Sequence, residues 1–198
     1  MSQIENNEQN TQERIIPKLR FPEFQTMLGW KNKKFKDISP LQRGFDLPSS
    51  ELKEGEIPVV YSNGVQNFHN KGMAIAPAVI TGRSGTIGKI HYIESGEYWP
   101  HNTTLWVTGF MNNVPKFVYY LFENINIKNF SSGSGVPTLN RNDIHNSIAA
   151  VPLLPKEQQK IADCLSSIDE LIEREEQAIA GLKQHKKGLM QQLFPVAG

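Results

Sequence analysis

Between Pro17 and Pro155 the apolar positions come in short runs broken by Gly, Pro, Asn and Ser, the pattern of strands joined by turns. The runs at residues 57–61, 73–81, 86–93, 103–107 and 147–153 carry β-branched and aromatic residues and predict strands. Pro115 opens a different pattern. Proline suits a first helical position, and Phe117, Tyr120 and Leu121 follow at helical spacing, so residues 115–124 are expected to be helical. Past Pro155 no proline appears until Pro195, and Glu, Gln, Lys, Ile and Leu dominate. Along Ile161, Leu165, Ile168, Ile172, Glu175, Ile179, Leu182, Lys186, Leu189 and Leu193 the intervals alternate four and three without a break. A sustained 3.5-residue period predicts a coiled-coil seam rather than a helix lying on a globular core.

The expected fold class is therefore α+β, a mixed globular domain followed by one long helix. Residues 1–13 are rich in Asn, Gln and Glu and hold too little apolar surface to offset ordering entropy, so they read as a disordered tail. The expected divisions are 1–13, 14–154 and 155–194, the last forming an antiparallel coiled coil.

At 198 residues the chain can bury a real core. Its single cysteine, Cys164, has no partner within the chain for a disulfide or a zinc cluster, and this fits a reducing setting. With no apolar run of membrane-spanning length and a polar start, the expectation is a cytoplasmic protein without membrane contact. Net charge is +1, but it is unevenly spread. Residues 14–150 hold fifteen Lys/Arg against ten Asp/Glu, whereas residues 151–198 hold six against seven. This modest basic excess permits nucleic-acid binding without requiring it.

Candidate chemistry is sparse. The stretch Thr81 to Lys89 fails as a phosphate loop, because Arg83 and Ile90 stand where glycine and Ser/Thr are needed, and the residues after it read as a strand. It reads instead as a glycine-rich turn with Arg83 and Ser84 at its tip. Ser131 to Gly135 lacks the spacing of a nucleophile elbow and reads as a flexible loop. The histidines at 69, 91, 101, 145 and 185 do not pair at metal-ligand spacing, and no acids pair as a catalytic couple. The expectation is a non-catalytic chain with no metal and no cofactor of its own.

Several segments in order then carry a resemblance. They are Pro17-Lys18-Leu19-Arg20-Phe21-Pro22-Glu23-Phe24 with Trp30; Lys36-Asp37-Ile38 leading to Arg43-Gly44-Phe45; Ile57-Pro58-Val59-Val60; the Thr81 to Lys89 loop; Gly135 to Asn140; and Pro152 to Ile161 running on to Phe194. Together they resemble the specificity subunits of type I restriction-modification systems, in a half-length form with one target recognition domain and one conserved helical region. That resemblance implies reading one half of a split site on double-stranded DNA. It also implies methyltransferase subunits docked along the helix and supplying S-adenosylmethionine chemistry, with a restriction or motor subunit supplying ATP-driven work. The absent second half leaves open a homodimer, a pairing with another half-subunit, or a silent cassette.

Base reading needs polar side chains on loops, with Arg suited to guanine and Asn or Gln to adenine. Arg43, Ser62, Asn63, Arg83, Ser84, Asn102 and Ser132 are the candidate readers, and Lys71 and Lys89 the candidate phosphate contacts. Each has the alternative of a plain turn residue. Ile161, Leu165, Ile168, Ile172, Glu175, Ile179, Leu182, Lys186, Leu189 and Leu193 are the candidate dimer interface. The rival reading is a coiled-coil adaptor whose globular part binds protein.

Overall fold

The computed structural model describes residues 15–132 and 137–194. The expected tail at 1–13 lies outside them, as do residues 133–136 of the serine-glycine loop. The chain divides into two compact units, one ending at Gln159 and one beginning at Lys160. The described residues of the first unit hold strands β1 (Lys31–Lys34), β2 (Leu41–Arg43), β3 (Ile57–Tyr61), β4 (Gly64–His69), β5 (Ala74–Ile75), β6 (Ala78–Gly82), β7 (Ile90–Ile93), β8 (Glu97–Pro100), β9 (Thr104–Val107), β10 (Ser131–Ser132), β11 (Thr138–Leu139) and β12 (Ile148–Val151). Helices α1 (Phe35–Ile38), α2 (Pro115–Asn124) and α3 (Arg141–Asn146) lie among them, and α4 (Pro155–Leu193) follows. The mixed domain and long helix expected from the sequence are both present.

Two four-stranded sheets carry the domain, in the orders β2-β9-β6-β7 and β4-β3-β8-β5. Side chains alternate across a strand, and β3 uses both faces. Val60 joins Ala78, Ile80 and Tyr98 in one apolar cluster, while Val59 joins Leu47 and Trp99 in another. β6 is buried at every position. It is flanked by β7 and β9 within its sheet, and α2 packs against it. Phe35 of α1 meets Phe122 of α2 edge to face at 5.2 Å. Outside the sheets, β1 pairs antiparallel with β12, joining the start of the domain to its end.

Two predicted strands need correction. Residues 73–81 are not one strand: β5 and β6 belong to different sheets, divided at Pro77, which cannot donate to a ladder. The strand expected over 86–93 begins only at Ile90, because Gly85 and Gly88 take positive φ of 80° and 94° and curl the preceding residues into a loop. Helix α2 has the expected bounds.

Candidate nucleic-acid interface

Three arginines from separate elements line one open groove. β2 ends at Arg43, paired with Leu105 of β9. Arg83 follows β6, and its N–H donates to the Thr103 carbonyl at 2.7 Å while its own carbonyl accepts from Leu139 N at 2.8 Å. Arg141 opens α3, whose first turn is capped by Asn140, its Oδ1 accepting from Asn142 N at 3.0 Å. Arg43, Arg83 and Arg141 line the groove together with Thr138 and Asn140, over the apolar Leu105 and Leu139. A second open hollow shares Arg43 and Arg141 with it and is lined further by Gln42, Gly44, Phe45 and Asp46.

Gly44 explains how this corner closes. A Cβ there would stand 2.2 Å from the His101 carbonyl oxygen and 2.4 Å from that of Pro100. Only glycine lets the two backbones meet, with Gly44 N donating to Thr104 O at 3.1 Å and Phe45 N to Pro100 O at 2.8 Å. Beside this contact the Asp46 carboxylate faces Arg43 Nη2 at 3.5 Å and accepts a hydrogen bond from Asn102 Nδ2. His101 lies against the Tyr61 ring, centroids 4.1 Å apart. Burial lowers its pKa, and the Asp46 charge opposes that shift.

The predicted readers separate into groups. Arg43 and Arg83 line the groove, and Asn102 meets Asp46 beside Arg43. Arg83 and Ser84 do not form the loop tip: both are half-buried at its base, where Ser84 bridges to Thr138. Ser62 is buried against Gly82 and Gly85 of the same loop. Asn63 is exposed in the β3–β4 turn, and Lys89 is exposed where the loop rejoins β7. Ser132 pairs with Thr138 through the β10–β11 ladder. Lys71 follows His69, which pairs with the start of β3, so it stands at the opposite end of that sheet from Asn63. Sequence reasoning missed Arg141, Asn140, Asp46 and Lys128, whose stem covers the bare backbone of Gly88. The Asn140-Arg141-Asn142-Asp143 cap signal could have found the first two, since it starts a helix directly after a loop.

Within the second unit the seam is open. Leu165, Ile168, Ile172, Ile179, Leu182, Leu189 and Leu193 are 39 to 73% exposed, and Glu175 and Lys186 are exposed among them. Leu171 and Met190 widen the apolar face. Among the described residues no helix is long and apolar enough to cross a membrane.

The chain thus combines a sheet domain carrying an arginine-lined groove with a long helix whose apolar seam is exposed. The family model described as "Type I restriction modification DNA specificity domain" matches residues 27–184, and the chain belongs to that family. A curated relative, the Type I restriction enzyme MjaIX specificity subunit of Methanocaldococcus jannaschii, is 30% identical over 173 residues, covering 73% of this chain and 39% of that protein. The fold is similar to the S subunit of a type I restriction-modification system from M. genitalium, with TM-score 0.68 and 17% identity, covering 90% of this chain and 47% of that one. It is also similar to the HsdS subunit from Thermoanaerobacter tengcongensis, with TM-score 0.55 and 14% identity over 91% of this chain and 47% of that one. The chain thus spans less than half the length of the relatives it matches.

Proposed function

We propose that this chain is a non-catalytic reader of double-stranded DNA that takes one half of a bipartite site and directs type I methyltransferase and restriction subunits to it. The observation that supports it most is the convergence of Arg43, Arg83 and Arg141 in one open groove of a DNA specificity domain. The guanidinium fork matches the two acceptors of guanine in the major groove, and the same groups hold phosphates. Asn102 and Asn140 at this surface carry the amide that suits adenine, while Lys89 and Lys128 fit phosphate contacts. S-adenosylmethionine and ATP belong on the partner subunits in this reading, and the assembly works in the cytoplasm. The open α4 seam supports pairing with a second copy, which restores a two-domain reader.

The test is to combine the chain with a type I methyltransferase subunit and map base methylation across a genome. Methylation at a two-part motif, present only when both proteins are present, is the expected result. Methylation by the chain without a partner, or an unchanged motif when the chain is omitted, overturns it.

A further inference from the structure

Beside the arginine groove, in the hollow that shares Arg43 and Arg141 with it, stands an acid whose presence needs a reason. Asp46 is 71% exposed by side chain, and a carboxylate on a surface that meets phosphates weakens sequence-independent binding. Its pairing with Arg43, half-exposed itself, contributes little to stability. What Asp46 does is geometric. It faces Arg43 Nη2 and accepts from Asn102 Nδ2, two side chains from segments 59 residues apart in sequence. The backbones beneath them are already stitched together by the Gly44 and Phe45 hydrogen bonds to Thr104 and Pro100. Each partner keeps unused capacity. Arg43 has five N–H donors and engages Asp46 through one end of its fork. Asn102 keeps its Oδ1 and a second Nδ2 hydrogen.

We propose that Asp46 is a positioning residue that holds Arg43 and Asn102 as a coupled pair of base readers, Arg43 for guanine O6 and N7 and Asn102 for adenine N6 and N7. The inference rests on the DNA-reading proposal above and goes beyond it by assigning the pair and its common anchor. Fixing both side chains before binding removes ordering entropy that a free arginine and asparagine lose only on contact. The repulsion between the Asp46 carboxylate and phosphate falls on every sequence alike, so the anchor raises discrimination rather than raw affinity.

The experiment uses the full chain assembled with its methyltransferase partner, on duplexes carrying the mapped site. Each guanine of the recognised half is replaced in turn by 7-deazaguanine, and each adenine by 7-deazaadenine, which deletes the N7 acceptor alone. Wild type is expected to lose about tenfold in affinity at one guanine and one adenine. With Asp46→Ala both penalties shrink to about threefold or less, while random duplex is bound as well as or better than by wild type. Arg43→Ala with Asp46→Ala is expected to show no smaller guanine penalty than Arg43→Ala alone, because Asp46 acts at that base through Arg43. Equal deaza penalties in wild type and Asp46→Ala overturn the proposal, as does a parallel loss for site and random duplex. Site-specific binding by wild type with no deaza penalty overturns the pair assignment but leaves DNA reading standing. A wild-type assembly that binds its site no better than random duplex removes the DNA-reading proposal and this one with it.

Discussion

Arg20 and Glu157, 137 residues apart in sequence, form a buried bidentate ion pair, Nε to Oε1 and Nη2 to Oε2, each at 2.8 Å. Trp30 Nε1 donates to Glu157 Oε1 at 2.9 Å, and Arg20 Nη2 also reaches the Leu28 carbonyl at 2.7 Å. The next residue, Gln158, accepts from Val114 N at 2.8 Å and donates to Asn113 Oδ1 and the Pro152 carbonyl. The first turn of α4 is therefore part of the sheet domain's polar interior. Burying a carboxylate and a guanidinium is tolerable only because both are so fully hydrogen-bonded.

Arg20→Ala leaves the Glu157 carboxylate buried without its counter-charge. The expected loss of stability is about 3–5 kcal/mol, read from urea unfolding of the full chain. A midpoint unchanged within error would remove the ion pair from the account of this corner.

Acid should lower the protein's stability in two pH windows. Burial lowers the His145 pKa, helped by Arg141 and Lys36, and its Nε2 accepts from Leu41 N at 2.8 Å, which requires the neutral ring. The unfolded chain takes up this proton near pH ~6.5, so the stabilisation is present above that pH and declines as pH falls below it. For Glu157, burial pushes the pKa up, but hydrogen bonds from Arg20 and Trp30 and the Arg20 charge prevail, leaving it below the usual range. Its stabilisation is complete above about pH 4.3 and is lost as pH falls through the folded value. Unfolding free energy against pH should bend first below about 6.5 and more steeply below about 4.3. His101, also lowered by burial, contributes to the same bend, so His145→Gln should shrink the first bend without abolishing it and leave the second unchanged.

Much of this architecture was readable from the chain. Helix α2 has the predicted bounds and α4 follows the heptad pattern, since proline entry and apolar period are local signals. β3 was legible as well, being a short β-branched run. β4 and β8 were not: Gly64–His69 and Glu97–Pro100 carry Gly, Gln, Asn, Glu and Pro, and pairing partners from elsewhere make them strands. The site was half legible. Arg43 and Arg83 stood out as loop cations, whereas Arg141 joins them only because α3 starts at the β10–β11 end of the groove. Conversely Arg20 and Glu157 were visible as marks of a family, and their meeting needed three dimensions.

Gly44→Ala tests the close backbone contact. The new methyl would meet two carbonyl oxygens at 2.2 and 2.4 Å, and neither can swing aside as a side chain could. The expected cost is about 1–3 kcal/mol of stability. Gly181→Ala, where a Cβ meets open space within a helix, should change stability little or raise it. Thermal unfolding of both variants gives the comparison, and equal shifts for the two would contradict the close approach.

At the groove, Arg83→Ala and Arg141→Ala should reduce affinity for the recognised site more than for random duplex, by about 1–3 kcal/mol where a bidentate base contact is lost. Lys128→Ala should weaken both alike and lower the salt slope by about one, as one lost phosphate contact does. Titrations at several salt concentrations separate the two behaviours. A uniform loss for Arg83→Ala would make it a phosphate contact.

The α4 seam predicts its own pairing. With Ile161 at heptad position d, the apolar residues Leu165, Ile172, Ile179 and Leu193 share position a with Lys186, and Ile168, Leu182 and Leu189 share position d with Glu175. Antiparallel coils stack a against d. One register of two identical chains sets Glu175 opposite the partner's Lys186 and, by symmetry, Lys186 opposite the partner's Glu175. In that same register Ile168 meets the partner's Leu193, Ile172 meets the partner's Leu189, and Ile179 meets the partner's Leu182. Each of these layers is then apolar against apolar or acid against base. Any shift by a heptad leaves both charges facing leucine or isoleucine. Two buried charges without partners destabilise by several kcal/mol, so the matched pair selects register and direction even where it adds little net stability. Glu175→Lys should therefore weaken dimerisation, because each chain then sets lysine against lysine, and adding Lys186→Glu should restore it with the charges exchanged. Sedimentation equilibrium of wild type, single and double variants reads this directly. A monomeric wild type, or a double variant that associates no better than Glu175→Lys, rules out this register.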